Sequence, residues 1–279
     1  MAKGVLGIII CPMFEDELLY SLGRDPEIQR IVVLDNEHVR DIRSKMDKRG
    51  MRYDLVPEAD FDEGRVEFDR SVFNVVIKAN SLALHAEPAD LKAFVEGQIR
   101  DIQPHIDALG LYYGLCGNFG WDVTEWCRQM GYKPAAVFRS ASGRVCDDCI
   151  AVAVGGSERY LELERTYTGM FYVIPSFANN WQTFVMAGDT AKGLNNLPEE
   201  TKQELGLTDQ ESFIRWMFEF CGYTNTLKID TGLSEKDEFE EAFQDISRRL
   251  NLKPLVIEDG WVTLNSVEGI YATCKSFFE

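Results

Sequence analysis

Apolar residues fall into short continuous runs that are separated by longer polar segments. Runs of this kind, without strict alternation, are typical of strands that are buried on both faces of a parallel sheet. The runs that predict strands are residues 4–10, 31–35, 73–79, 109–115, 135–138, 170–174, 226–230 and 254–259. Glycine, proline or a charged residue lies within two positions of the end of most of these runs.

Helical periodicity occupies the segments between these runs. In residues 89–107 the apolar positions are Leu91, Phe94, Val95, Ile99 and Ile102, which is near helical spacing. Similar patterns predict helices at residues 15–22, 37–48, 123–130, 148–154, 181–186, 210–220 and 236–250. Strands that alternate with helices predict an α/β fold, with a mostly parallel, doubly wound (Rossmann-like) sheet and helices on both faces.

The length of 279 residues suits one large domain or one domain with an extension. The best candidate for a boundary between two parts of the chain is the polar stretch at residues 193–210. We therefore predict an α/β core at residues 1–192, which carries the cysteine site described below. We predict a C-terminal strand–helix extension at residues 193–279, packed on the same sheet or continuing it.

The charge balance narrows the class of partner. Lysine and arginine number 29 against 46 aspartate and glutamate, which gives a formal net charge of −17. Such a surface repels phosphate backbones and anionic lipids, so we expect neither nucleic acid nor membrane as a partner. The first apolar run lacks a signal-peptide cleavage pattern, and we expect a cytoplasmic protein. Phosphate-loop, dinucleotide-binding, zinc-protease and serine-hydrolase signatures are absent from the sequence.

Three cysteines stand at predicted strand ends or helix starts. Cys11 follows the first strand, Cys116 follows the strand at residues 109–115, and Cys149 begins a predicted helix. Because ligands of parallel sheets collect at the carboxyl ends of the strands, the three thiols can meet there. They would then bind Zn²⁺ or a [4Fe–4S] cluster and leave one position open. The alternative is that each cysteine is a small buried hydrophobe, and the role of Cys146 stays open.

Residues near these cysteines complete the predicted site. Gly114 and Gly117 permit close backbone approach to a ligand, so we predict that they bind a cofactor together with Asn118. Asp148 and His85 are the candidate catalytic groups, because each lies beside the predicted sheet edge and can transfer a proton.

Five segments in a fixed order carry a resemblance to a known family. They are "IIICPMFEDELLY", "LALHAEPADLKAFV", "LYYGLCGN", "CDDCIAVAVGGSERYLE" and "GMFYVIPSF". This combination resembles the uncharacterised family catalogued as domain of unknown function 1638. The resemblance implies that Cys11, Cys116 and Cys149 act as a set with His85 nearby, and that Cys127, Cys221 and Cys274 are core residues.

The chain also departs from that family's pattern. A His-Asp pair usually precedes the third cysteine, whereas this chain has Cys146-Asp147-Asp148 there. A metal-binding role for that histidine therefore does not transfer to this chain. The family is found in anaerobes beside genes for corrinoid-dependent methyl transfer, but a DxHxxG corrinoid-binding motif is absent from this sequence.

These observations lead to one expected function and two alternatives. The expected function is a metal-binding protein with a three-cysteine site that serves corrinoid-linked methyl transfer in one-carbon or methylamine metabolism, as a metal-dependent methyltransferase if it is an enzyme. The first alternative is a [4Fe–4S] enzyme of the lyase or desulfurase type. The second is a non-catalytic accessory protein for a corrinoid or a methyltransferase. The expected partner is a small-molecule substrate or such a protein, and an oligomer is compatible with the sequence.

Overall fold

The protein is described by a computed structural model that covers residues 1–81, 88–118, 120–185 and 189–279. Six parallel strands form the main sheet in the order β3-β2-β4-β1-β5-β6. They are β1 Gly4–Ile10, β2 Ile28–Asp35, β3 Asp54–Pro57, β4 Phe73–Ala79, β5 Ala108–Tyr112 and β6 Ala135–Val137. The predicted fold class, an α/β protein with a parallel Rossmann-like sheet, is confirmed.

A second sheet follows in the chain. Its three strands, in the order β7-β8-β9, are also parallel. They are β7 Met170–Val173, β8 Asn225–Lys228 and β9 Lys253–Val256. The late apolar runs therefore pair with β7 and not with the edge of the main sheet.

Helices connect the strands. In chain order they are α1 Glu15–Gly23, α2 Arg40–Lys48, α3 Glu58–Asp62, α4 Pro88–Ile102, α5 Val123–Gln129, α6 Cys149–Val154, α7 Ser157–Thr166, α8 Pro175–Val185, α9 Asp189–Asn196, α10 Glu199–Glu204, α11 Gln210–Phe220, α12 Lys236–Arg249 and α13 Asn265–Ser276, with short 3₁₀ turns at Pro12–Phe14 and Gln103–His105. In the described part of the chain, no helix combines the length and the apolar character needed to cross a membrane.

Strand β1 lies at the centre of the main sheet, and its side chains alternate between two cores. Leu6, Ile8 and Ile10 enter one core, which α1, α2 and α13 cover. Val5 and Ile9 enter the other core, which α3, α4 and α5 cover. Because both faces are covered, all seven residues of β1 are buried, which explains the continuous apolar run in the sequence.

The first core joins the two predicted parts of the chain. Ile8 of β1 and Ile270 of α13 belong to the same cluster of buried side chains. Helix α13 therefore packs on the main sheet, while β8 and β9 extend the second one. The division after residue 192 stays a prediction.

A buried lysine on one face of the main sheet is paired with a partly exposed glutamate. Lys78 of β4 is 1% exposed, and its Nζ lies 2.8 Å from Oε1 of Glu58. Glu58 also accepts a hydrogen bond from Nδ2 of Asn36 at 2.7 Å. Removing one partner of such a pair leaves a buried charge without compensation, which is far more costly than removing both.

We expect Glu58→Ala to lower the free energy of unfolding by about 3 kcal/mol. The matched variant Lys78→Met lacks the buried charge, and adding Glu58→Ala to it should cost much less. Urea unfolding of the single and double variants measures this difference. Equal costs of Glu58→Ala in both backgrounds would contradict the assignment of Lys78 as a charge that depends on Glu58.

Candidate functional site

The carboxyl edge of the main sheet brings the ends of β1 and β5 together. Ile10 is in register with Tyr112, and the backbone N–H of Cys11 donates to the carbonyl oxygen of Tyr112 at 3.1 Å. Cys11 is the first residue after β1, and Cys116 lies in the loop that follows β5. Parallel pairing therefore delivers both thiols to the same edge.

The loop at Cys116 has an unusual backbone conformation. Cys116 has a φ of 45° and Gly117 a φ of 89°, so two successive residues adopt left-handed conformations. A non-glycine residue in that region is uncommon and strained. Asn118 closes the turn, since its Nδ2 donates to the carbonyl oxygens of Pro88 at 2.8 Å and Leu115 at 3.1 Å. The turn directs Cys116 back toward the segment that carries Cys149.

Two backbone contacts bind this loop to the segment before α6. The N–H of Cys116 donates to the carbonyl oxygen of Asp147 at 2.7 Å. A Cβ placed on Gly114 would lie 2.8 Å from that same oxygen and 2.8 Å from Cα of Asp148. Gly114 therefore permits the close approach of two loops of the protein itself. Its contacts and those of Asn118 are to protein backbone, and Gly117 lines the cavity described below.

Cys149 is the first residue of α6. The preceding residue, Asp148, is the N-cap, and its Oδ1 accepts from the backbone N–H of Ala151 at 2.8 Å. Ser157, the first residue of α7, holds the same segment through its Oγ, which accepts from the N–H of Asp147 at 3.2 Å. The position of Cys149 is thus fixed by a capped helix and by contacts from two neighbouring segments.

A cavity of about 980 Å³ opens at this edge, and all three predicted thiols line it. Cys11 and Cys116 lie in the segments that follow β1 and β5 of the main sheet, and Cys149 is the first residue of α6. Trp121 and Tyr160 contribute aromatic surface to its wall. The cavity lies at the upper end of the size range typical of small-molecule sites. The structure thus brings the three cysteines to one cavity, and their role as metal ligands stays a prediction.

Charged residues surround the cavity in mixed sign. Asp122 is paired with Arg139 at 3.0 Å, and Glu158 lies 3.6 Å from Arg144. The other acidic lining residues are Asp147, Asp148 and Glu164. Sequence reasoning did not single out Trp121, Asp122, Arg139, Arg144 or Tyr160. One available signal was that Asp122 and Trp121 closely follow the Cys116 turn.

The three cysteines are partly buried, and their surroundings favour the uncharged form of each thiol. Burial raises the pKa of Cys116 to about 12, and the charge of Asp148 adds to this shift. Burial also raises the pKa of Cys11 and of Cys149, and each thiol opposes ionisation of the others. In the described residues, no group of three or more His, Cys, Asp or Glu side chains has the arrangement of a metal site. Metal binding would therefore require the thiols to turn toward a common point.

Of the two predicted proton-transfer groups, Asp148 and His85, the structure describes only Asp148. Burial raises the pKa of Asp148 to about 6, although hydrogen bonds from the α6 backbone oppose that shift. Asp148 lines the cavity next to Cys149, so it is placed to exchange a proton near neutral pH. His85 lies outside the described residues, and its role stays a prediction.

The remaining cysteines have separate surroundings. Cys146 is fully buried, and its Sγ lies 3.8 Å from Oγ of Ser266. Cys127 and Cys274 are buried in the cores, as expected. Cys221 is exposed at the end of α11, so the expectation that it is a core residue is wrong. It follows Phe220, whose side chain is itself 78% exposed, so the helix end lies at the surface.

A buried glutamate lies behind the thiols. Glu17 of α1 is 7% exposed, and its Oε2 has no hydrogen-bond partner among the residues described. Burial raises the pKa of Glu17 to about 7, and the neighbouring Asp16 acts in the same direction. Its charge would oppose ionisation of Cys149. The site therefore holds a carboxyl group that is easily kept neutral.

The fold and the cavity together define a Rossmann-like α/β protein with a cysteine-lined site at the carboxyl edge of its sheet. The family model described as "Protein of unknown function (DUF1638)" matches residues 81–267, and the chain belongs to this family. The matched part contains Cys116 and Cys149, while Cys11 precedes it. No curated protein and no solved structure matches the chain.

We expect Gly114→Ala to separate the two loops that carry Cys116 and Cys149, because the added methyl group meets backbone atoms. The expected loss of stability is about 1–3 kcal/mol. Both thiols should also react faster with iodoacetamide, as mass spectrometry of the modified peptides would show.

The control for Gly114→Ala is Gly97→Ala in α4, where an added Cβ meets no atom within 4 Å. That change should stabilise the helix by about 0.5–1 kcal/mol. Unchanged thiol reactivity in Gly114→Ala would contradict the importance of the close loop approach.

Glu17→Gln should make the metal-free protein less sensitive to pH. Glutamate ionises near pH 4.3 in an unfolded chain, whereas the pKa of Glu17 is about 7 in the fold. A raised pKa stabilises the fold fully below the unfolded pKa, and this stabilisation is lost as the pH rises through about 7.

Relative to the wild type, the free energy of unfolding of the variant should therefore increase by about 3–4 kcal/mol between about pH 4 and about pH 8. Urea unfolding at both pH values measures this gain. Glu204→Gln, at an exposed position in α10, is the control and should show no comparable gain. A constant difference between wild type and Glu17→Gln would contradict the raised pKa.

Proposed function

We propose that this protein binds a soft metal centre through Cys11, Cys116 and Cys149. In this proposal the centre is Zn²⁺ or a [4Fe–4S] cluster, and it serves methyl transfer involving a small molecule. The observation that carries the proposal is that three thiols from separate segments line one cavity. Three cysteines that served only as separate core residues would not be expected to line the same cavity.

The donor set fits a soft metal. Thiolates prefer zinc or iron–sulfur clusters over hard cations such as Mg²⁺. Three protein ligands leave a fourth position for a substrate, and here that position would face the cavity. Because burial raises the pKa of all three thiols, they would lose their protons to solvent only when a cation binds in place of those protons.

The surrounding residues would support chemistry at such a centre. Bound zinc supplies Lewis-acid chemistry that favours the thiolate form of a methyl-accepting thiol. Asp148 is placed to take up the proton that this thiol loses, since its pKa is about 6. Trp121 and Tyr160 would cover the apolar part of the substrate and reduce its contact with water.

The metabolic setting comes from the family resemblance and not from the cavity itself. Members of that family are found beside genes for corrinoid-dependent methyl transfer, which suggests one-carbon or methylamine metabolism. A small-molecule substrate is favoured over a purely accessory role, because the thiols line a cavity and not a flat face. A corrinoid protein or a methyltransferase would then be the donor or acceptor of the methyl group.

The test is to purify the protein without oxygen and to measure zinc and iron per chain in the wild type and in Cys116→Ser. We expect about one zinc per chain in the wild type and a large loss in the variant, because one of three ligands is removed. Cys127→Ser is the matched control, since Cys127 is a buried core cysteine that does not line the cavity. It should keep the metal.

Other results would change or end the proposal. About four irons with sulfide, lost in Cys116→Ser, would assign a [4Fe–4S] centre and lyase or desulfurase chemistry. A wild type that holds no metal, and that takes up neither zinc nor iron when these are added, would contradict the three-thiolate site. A scaffold or accessory role would then explain the buried cysteines better.

A further inference from the structure

Cys11 is the middle member of a row of three side chains across the sheet. Ile10 is in register with Ala79 of β4 and with Tyr112 of β5. The next residues along the three strands are Asn80, Cys11 and Tyr113. The pairing continues into this row, because the N–H of Asn80 donates to the carbonyl oxygen of Ile10 at 3.0 Å.

Side chains at matching positions of parallel strands lie on the same face of the sheet, with neighbouring strands about 4.8 Å apart. Tyr113 and the preceding alternate residue Leu111 belong to the second core, and Cys11 packs against the same core. The charges of Cys11 and Cys116 both act on the Tyr113 hydroxyl. Asn80 and Tyr113 therefore flank Cys11 on the side of the second core.

Both flanking residues carry a buried donor that lacks a well-formed hydrogen bond. Asn80 is 2% exposed and Tyr113 is 6% exposed. Neither Nδ2 of Asn80 nor the hydroxyl of Tyr113 completes a well-formed hydrogen bond within the described part of the chain, although Asn80 approaches the Tyr113 hydroxyl and opposes the rise of its pKa. Such groups are rare in folded proteins because leaving one unpaired is costly, so each calls for an explanation.

The chemistry of the Cys11 sulfur explains why these donors are present. A protonated thiol is a weak acceptor, whereas a thiolate accepts strongly from N–H and O–H groups. Neither Asn80 nor Tyr113 is among the residues that line the cavity. A substrate in this cavity therefore does not displace the two donors, although Asn80 also lines a separate, smaller cavity beside Pro12 and Glu15.

We propose that Nδ2 of Asn80 and the hydroxyl of Tyr113 donate hydrogen bonds to the sulfur of Cys11 once it is a metal-bound thiolate. This inference rests on the metal site proposed above. The thiol proton passes to solvent when the metal binds, and the two donors then gain an acceptor. Asn80 and Tyr113 are positioning residues that hold a metal ligand and adjust its donor strength.

The decisive variant is Tyr113→Phe, which removes one hydroxyl and keeps the ring. In metal-free protein, the thermal midpoint should stay the same or rise, since a buried hydroxyl without a well-formed hydrogen bond is lost. Zinc affinity should fall by about 10- to 100-fold, because the thiolate loses a donor. Competition with a chromophoric chelator measures zinc binding, and circular dichroism verifies the fold.

The matched control is Tyr112→Phe, one residue earlier on the opposite face of the strand. Its hydroxyl is also buried without a well-formed hydrogen bond among the described residues, but Tyr112 packs in the first core and its hydroxyl approaches Ser21 of α1. This variant also removes one buried hydroxyl. Its zinc affinity should stay within about twofold of the wild type, because the lost hydroxyl does not donate to a metal ligand. Asn80→Leu is the second test variant, and it should weaken zinc binding as Tyr113→Phe does.

Cobalt(II) provides a readout that a change in packing alone would not move. Without the hydrogen bonds, the thiolate-to-cobalt charge-transfer bands of Tyr113→Phe and Asn80→Leu should shift to lower energy. The bands of Tyr112→Phe should match the wild type.

The possible results separate the two proposals. A wild type that binds neither zinc nor cobalt would overturn both the metal site and the role of its supporting donors. Zinc binding by the wild type, with wild-type affinity and cobalt bands in Tyr113→Phe and Asn80→Leu, would overturn only this inference. Equal weakening in Tyr112→Phe and Tyr113→Phe would overturn it as well, because the effect would then belong to the core.

Discussion

The register of three parallel strands, β4, β1 and β5, is the constraint on which the site depends. Pairing of Ile10 with Ala79 and Tyr112 fixes where each strand ends relative to its neighbours. A slip of one residue would turn Cys11 from one face of the sheet to the other, because strand side chains alternate. Burial of β1 on both faces opposes such a slip, since it would also exchange the residues of the two cores.

The second constraint is the contact between the Cys116 loop and the segment before α6. It combines a left-handed cysteine, a glycine without room for a Cβ, and a backbone hydrogen bond to Asp147. A positively charged metal would fit the acidic surroundings better than three thiolates alone, because Asp147, Asp148 and Glu164 already line the cavity. The raised pKa values of Asp148 and of the three thiols have the same main cause, which is burial, and nearby negative charge adds to it.

Much of the fold follows from the sequence, and the misses have physical causes. The bounds of β1 and β4 were predicted correctly, because a continuous apolar run reports burial on both faces. Strand β3 was missed, since it is short and largely exposed. Helix α13 was missed although Val267, Ile270 and Cys274 have helical spacing, because asparagine, serine, glycine and threonine lower its helix propensity. The pairing of β8 and β9 with β7 depends on tertiary contacts that periodicity does not contain.

Some residues of the candidate site could likewise be predicted from the sequence, and others could not. The thiols could be predicted from their place after strands, because parallel strands share one carboxyl edge. Asn80 and Tyr113 could not, since a polar residue after a strand resembles any turn residue until the register is known. Arg139 and Arg144 reach the cavity from the end of β6, and nothing in their local pattern distinguishes them from surface arginines.

Because β1 lies at the centre of the main sheet, it matters that the residues matched by the family model do not include it. The matched residues begin after β4, so of the main sheet they contain only β5 and β6. Cut from the rest, β5 would expose the edge that β1 normally covers, and the cavity would lose Cys11. The matched residues therefore do not contain the complete sheet, and β1 and β4, which precede them, complete both the sheet and the cavity.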